Sequence, residues 1–319
     1  MRRISFVLVA CLLASPTFAA TLLVLNKEDS TLAFVDPVTG ATRHTVPTGA
    51  GPHEVEVTAD GGTAVVSNYG GQDAGSSLSL IDVAAARERL RAPLGDLLRP
   101  HGLAVADGHA YFTAEDARHI GRIGLADGKV DWRFPTTQQR THMVLASQDG
   151  RTLYATNMGS GTVSVIEPAG DGAAMQTLVP VGTMPEGLAL SPDGRELWVA
   201  SSDAGSVAVI DVRQKKVVRS FDIGTRRANR VKFTPDGALV LVSDLTQGEL
   251  VIIDARTHAV RKRLPIGRGA SGILVLPDGS RAYVAAANER RLAVVDLQSL
   301  NVTGHVATGA GPDGMAWVP

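Results

Sequence analysis

The sequence predicts an all-β fold, a seven-bladed β-propeller with four-stranded blades. Three observations carry this: an Asp-Gly pair that recurs about every 43 residues, four short strand-like runs in each period, and chain ends that hold complementary parts of one unit.

Asp-Gly stands at 60–61, 107–108, 149–150, 193–194, 236–237 and 278–279, with spacings of 47, 42, 44, 43 and 42. The glycine supplies the positive φ of a tight hairpin. A β-type run follows each pair, such as Ala64-Val65-Val66-Ser67-Asn68 or Leu153-Tyr154-Ala155-Thr156-Asn157, and then an alternating run that ends in an acid. Those acids include Asp36, Asp82, Glu167, Asp211, Asp254 and Asp296, and they are expected to accept turn N–H bonds as scaffold. The third unit has Ile123-Gly124 there, so its turn needs another support. A polar strand, a turn of the Gly-x-x-Pro kind and an innermost strand complete each period.

The ends are in register with this scheme. Leu22–Asn26 reads as a second strand and Asp313–Val318 as a first strand, so the N- and C-terminal strands pair within one blade and close the ring.

These repeats resemble the YVTN (surface-layer-type, YncE-like) seven-bladed propellers, through Pro-His-Glu-Val and Thr-Ala-Asp-Gly in 52–61, Leu-Tyr-Ala-Thr-Asn in 153–157 and Ser-Pro-Asp-Gly-Arg in 191–195. The resemblance covers the whole chain after the leader and implies the fold. Similar propellers serve as binding modules, DNA-binding proteins, dehydrogenase subunits and lyases, so it leaves activity open.

Residues 1–20 read as a secretory signal peptide: Arg2 and Arg3, an apolar stretch from Ile4 to Ala14, then small residues at Ala19 and Ala20. Cutting instead ahead of Cys11, as in a lipoprotein, leaves a very short apolar region. The domain is then 21–319, periplasmic or secreted, with no thiol and no membrane span, since no later run reaches about 18 apolar residues. A formal net charge of −1 argues against generic nucleic-acid binding, which needs a concentrated positive face. There is no Gly-x-x-x-x-Gly-Lys-Ser/Thr, no Gly-x-Ser-x-Gly and no Cys-x-x-Cys-His, which removes support for nucleotide, serine-nucleophile and covalent haem chemistry. The domain is expected to be a monomer.

Function is sought where equivalent, exposed positions differ. The residue opening each innermost strand reads His53, His101, His142, Glu186, Asn229, Ser271 and Asp313, a column at the mouth of the central channel. Neighbouring blades set these side by side, so His53, His101, His142 and Glu186 are candidate ligands for a single transition-metal ion, with Glu54 and Glu115 orienting imidazoles. Glu186 or Glu115 is the candidate general base. Arg140, Arg226, Arg227, Arg230 and Arg268, with Asn68, Tyr69 and Asn157 from second-strand ends, are candidate contacts for a small anionic molecule. An insertion at 70–77 is either a lid or an idle extension. The resulting readings are a metal-dependent lyase, hydrolase or oxygenase, or a non-catalytic propeller presenting that face to a protein, including an accessory to a quinoprotein dehydrogenase system. Polar residues at a wet channel mouth also occur without any ligand.

Overall fold

The protein is described by a computed structural model over residues 20–168 and 173–319. Residues 1–19, nearly all of the expected signal peptide, lie outside the described residues. Among those described, no helix is long and apolar enough to cross a membrane.

Seven four-stranded antiparallel sheets form the blades. Blade 1 joins Pro312–Val318 to Thr21–Asn26, Thr31–Val35 and Thr42–Pro47, with Leu22 opposite Trp317 and Val24 opposite Met315. Blades 2 to 7 follow in chain order, and their innermost strands are Pro52–Val57, Pro100–Ala106, Thr141–Ala146, Pro185–Leu190, Ala228–Phe233 and Ala270–Val275.

Each blade packs both faces against its neighbours, so middle strands are apolar on both sides, as in Leu22–Leu25 and Leu250–Ile253, all fully buried. The apolar side chains collect into seven clusters, one per seam. Blades 6 and 7 share Ile252, Leu264, Val284 and Val295, for example, and blades 7 and 1 share Tyr283, Leu292, Val24 and Val35. The outermost strands alternate exposed and half-buried residues, because only one edge meets the core.

The turn chemistry follows the sequence. Asp36 accepts the Val38 and Thr39 N–H groups, and Asp254 and Asp296 accept those of Thr257 and Ser299. In blade 3 Asp127 takes over, accepting from Lys129 N. The insertion at 70–77 is an extension of the blade 2 hairpin, with Asn68 paired to Ser77 and Gly70 to Ala74. Arg99 clamps it by donating its N–H to Gly75 O at 2.8 Å, so it is braced rather than a free lid.

Candidate functional site at the channel mouth

Every innermost strand slips register within its first residues, between Pro52 and Val55, Pro100 and Leu103, Thr141 and Val144, and likewise in the other blades. A bulge re-aims side chains, and here it turns two consecutive positions toward the channel. The first is the column His53, His101, His142, Glu186, Asn229, Ser271 and Asp313. The second is Glu54, Gly102, Met143, Gly187, Arg230, Gly272 and Gly314. Hydroxyls hold the bulges: Ser67 accepts from Glu54 N and donates to His101 O, Thr113 accepts from Gly102 N and donates to His142 O, and Thr156 accepts from Met143 N and donates to Glu186 O. Each hydroxyl thus ties its own bulge to the next functional residue. They are legible as a Ser/Thr column in the second strands, which blades 1, 5 and 7 replace by Leu25, Ala200 and Ala285.

The three imidazoles follow one another around the ring, tilted by 43° and 35°, with centroids 3.9 Å apart for His53 and His101 and 3.7 Å for His101 and His142. Carboxylates cap both ends. His53 Nδ1 is 3.2 Å from Asp313, and His142 lies between Glu115, which accepts from its Nδ1, and Glu186, 3.4 Å from its Nε2. Tyr69 donates to the other Glu115 oxygen at 2.8 Å, and Asn229 donates to Glu186 at 2.6 Å. Among the described residues, the side chains close enough to share an ion fall into two groups, His53-Glu54-His101 and His101-Glu115-His142, with ligand atoms within 4.8 Å of one another. The four expected ligands therefore do not make one compact shell: His101 is common to both groups, and Glu186 approaches through His142.

Burial opposes ionisation throughout, and the partners decide the outcome. Burial would raise Glu186, but His142 and Arg230 hold it down at about 2. Burial would lower His142, but its two carboxylates raise it. His101 has no such partner, and burial with the neighbouring imidazoles pushes it well below the usual histidine range. His101 Nδ1, His142 Nε2, Glu186 Oε2 and Asn229 Oδ1 are buried without a hydrogen-bond partner among the described residues.

Beneath this layer Arg230 reaches across the channel to Glu54, and its other nitrogen stands 3.8 Å from Glu186. Arg230 is 4% exposed and faces the cavity on the other side, so it is a cross-channel tie and not a free anion contact as expected from sequence.

The mouth itself is a cavity of about 720 Å³ lined by His53, Tyr69, His101, Glu115, His142 and Glu186, with Arg140 and Arg227 among its further wall residues. Two more columns supply its rim. One follows each second strand: Lys27, Tyr69, Glu115, Met158, Ser202, Leu245 and Ala287. Their backbone N–H groups donate to the carbonyls of the other, Gly311, Gly51, Arg99, Arg140, Met184, Arg227 and Gly269. Asn68 and Asn157 precede the first of these columns and point away. Asn68 is spent on Gly49 N, Ser77 and Ser79, and Asn157 on Thr141, Thr162 and Ser164, so both fasten turns and neither reaches the cavity. Arg226 and Arg268 are exposed outside the cavity wall, and Arg268 turns to Glu289.

The chain belongs to the YncE-like β-propeller family, which matches residues 5–318. Comparison with curated proteins gave no match. Among solved structures, the periplasmic gluconolactonase PpgL of Pseudomonas aeruginosa is 20% identical with a TM-score of 0.76, over 94% of this chain and 99% of that one. Hydrazine synthase of Kuenenia stuttgartiensis is 19% identical with a TM-score of 0.73, over 83% and 88%. The dihydro-haem d1 dehydrogenase NirN, in complex with DHE, is 16% identical with a TM-score of 0.70, over 93% and 74%. These likenesses concern the fold.

Proposed function

We propose that this YncE-like propeller holds a single transition-metal ion at the channel mouth and acts there, as a metal-dependent hydrolase or lyase, on a small anionic molecule. The observation that carries the reading is the charge and bonding state of the site's base. Four carboxylates meet there, Glu54, Glu115, Glu186 and Asp313, with Arg230 the buried cation tied among them and His142 between two of them. A divalent cation that displaces the His142 proton offsets most of the remaining negative charge, and it offers the buried His101 and Glu186 atoms the partners they lack. His101 and His142, the latter as the neutral imidazole, would hold the ion through their ring nitrogens. Nitrogen and carboxylate donors suit zinc, iron, copper or manganese.

Such an ion polarises a carbonyl or phosphoryl oxygen and lowers the pKa of bound water. This chain's own groups orient and move protons. Glu115 fixes the His142 ring through Nδ1, Tyr69 restrains Glu115, and Glu186, the carboxylate at the cavity floor, is placed to take a proton from substrate or water. The likeness to a propeller that is a periplasmic gluconolactonase lends support to hydrolysis and to export after removal of residues 1–20.

Elemental analysis of the purified protein, incubated in turn with zinc, copper, iron and manganese, tests the reading. About one ion per chain is expected, lost in His101→Ala and His142→Ala and kept in Ser271→Ala, which occupies the same column on the far arc. Absence of metal under all four conditions sinks the enzyme reading and leaves a non-catalytic binding propeller.

A further inference from the structure

Above the histidine layer three cations line the cavity without an ion-pair partner, Lys27 with its ammonium 5.9 Å from the centroid of the Tyr69 ring. Lys27, Arg140 and Arg227 make no side-chain hydrogen bond or ion pair with any described residue, in contrast to Arg99, which faces Asp116 at 3.3 Å, and Arg230. They come from blades 1, 4 and 6, so they stand on three different sides of the mouth. The acids of the cavity wall are Glu28, next to Lys27 in the chain, and Glu115, Glu186 and Asp313, which face the histidine layer.

The backbone beneath Arg140 is unusual, whereas that of Arg227 is not left-handed. At the rim position whose carbonyl accepts from the next column, Gly51, Gly269 and Gly311 have φ of +55°, +75° and +65°, which glycine adopts freely. Blades 3, 4 and 5 put Arg99, Arg140 and Met184 there at +54°, +54° and +48°. A left-handed non-glycine residue is strained, here as at the outer turns that hold Ala86, Lys215, His258 and Leu300. In blade 4 that conformation presents Arg140 to the cavity beside His142. Between the cations the wall is apolar, formed by Met158, Leu245, Ala287 and Pro312 with the Tyr69 ring.

We infer that the molecule taken at this mouth is a compact polycarboxylate, with two or three carboxylates directed outward to Arg140, Arg227 and Lys27 and a carbon body against the Met158–Leu245 wall. A single carboxylate cannot meet cations on three sides of one ring, whereas a di- or tricarboxylate can, and guanidinium forks match carboxylate geometry. The apolar wall favours a carbon skeleton over an inorganic polyphosphate. This names the substrate class of the site proposed above and rests on that reading for what happens at its base.

Isothermal titration with benzoate, isophthalate and trimesate, one aromatic ring carrying one, two or three carboxylates, tests it without a strong chelator. Affinity is expected to rise about tenfold from benzoate to isophthalate and again to trimesate, the worth of one charge-assisted contact each. Arg140→Gln and Arg227→Gln should each lower trimesate affinity about tenfold while leaving benzoate within about twofold. Arg268→Gln, outside the cavity, should change nothing. Equal affinity across the series, or the same loss in Arg268→Gln, overturns the inference, and so does tighter binding of methylenediphosphonate than of trimesate. Running each titration on chelator-treated and metal-incubated protein separates the two proposals. A graded series in metal-free protein supports the polycarboxylate site even if no ion binds, and a metal-binding protein without the gradation retains the metal site alone.

Discussion

Arg230→Met isolates the cross-channel tie. The guanidinium is almost fully buried, donates to Glu54 and stands beside Glu186, and Asp313 also acts on it through its charge. Methionine fills much of the same volume, so the main loss is charge, and the carboxylates beneath the histidine layer lose their nearest fixed cation. Breaking a buried pair by removing one partner costs about 3–5 kcal/mol, because the other charge remains buried and uncompensated. For a domain of this size that is about 5–8 °C in Tm. The sign with pH follows from Glu54, which burial would raise but Arg230 and His53 hold at about 2. Its stabilisation is fully present above the ordinary glutamate value and is lost as pH falls through the folded one. The gap between wild type and variant, measured by thermal denaturation in chelator, should therefore be larger at pH 7 than at pH 3.5. Glu54→Gln with Arg230→Met should recover roughly half of the loss. If Arg230→Met melts with wild type at pH 7, the channel is not tied by this pair and the charge accounting of the base fails with it.

Glu115→Gln should keep the fold, lower the His142 pKa seen by NMR and weaken metal binding about 10- to 100-fold, because a neutral amide supports the imidazolium less than a carboxylate does. An unshifted His142 resonance would show that Glu115 does not govern it. Gly187→Ala should cost about 1–3 kcal/mol in guanidinium denaturation, since its Cβ would overlap Asn229 O and lie 2.9 Å from Arg230 Cα in the next blade. Gly304→Ala, with nothing within 4 Å of the added carbon, is the control and should be neutral or slightly stabilising, and equal losses in the two would refute the close seam.

The architecture and the histidine column were legible because both are properties of the period. Once Asp-Gly fixed the unit, the residue after each turn had to open an innermost strand, and His53, His101 and His142 had to be neighbours. The rim was less legible. A strand reverses its side-chain direction at every residue, so the sequence reading takes Asn68 along with Tyr69, and Asn157 in place of Met158, although Asn68 and Asn157 fasten turns and Tyr69 and Met158 face the cavity. Glu115 escapes this error because blade 3 has Ala114 at the turn-fastening place. Arg230 looks like its neighbours Arg226 and Arg227 in sequence, and only the bulge and a partner 176 residues away separate it from them.

The second channel-facing position explains how so much charge fits beneath the imidazoles. In blade order it reads Glu54, Gly102, Met143, Gly187, Arg230, Gly272 and, in blade 1, Gly314. Both charged residues have glycine in each adjacent blade, Glu54 between Gly314 and Gly102 and Arg230 between Gly187 and Gly272. At each of those four glycines an added Cβ would press into the neighbouring inner strand, so the strands approach there without side chains. The room left along the axis is what lets a guanidinium from blade 6 cross to a carboxylate from blade 2, and that crossing sets the floor of the mouth cavity. A larger residue at Gly102 or Gly272 would therefore act on the site twice, by spreading a seam and by crowding the tie that holds Glu186 ionised below His142. In this ring the glycines between the unequal positions are as much a part of the site as the histidines.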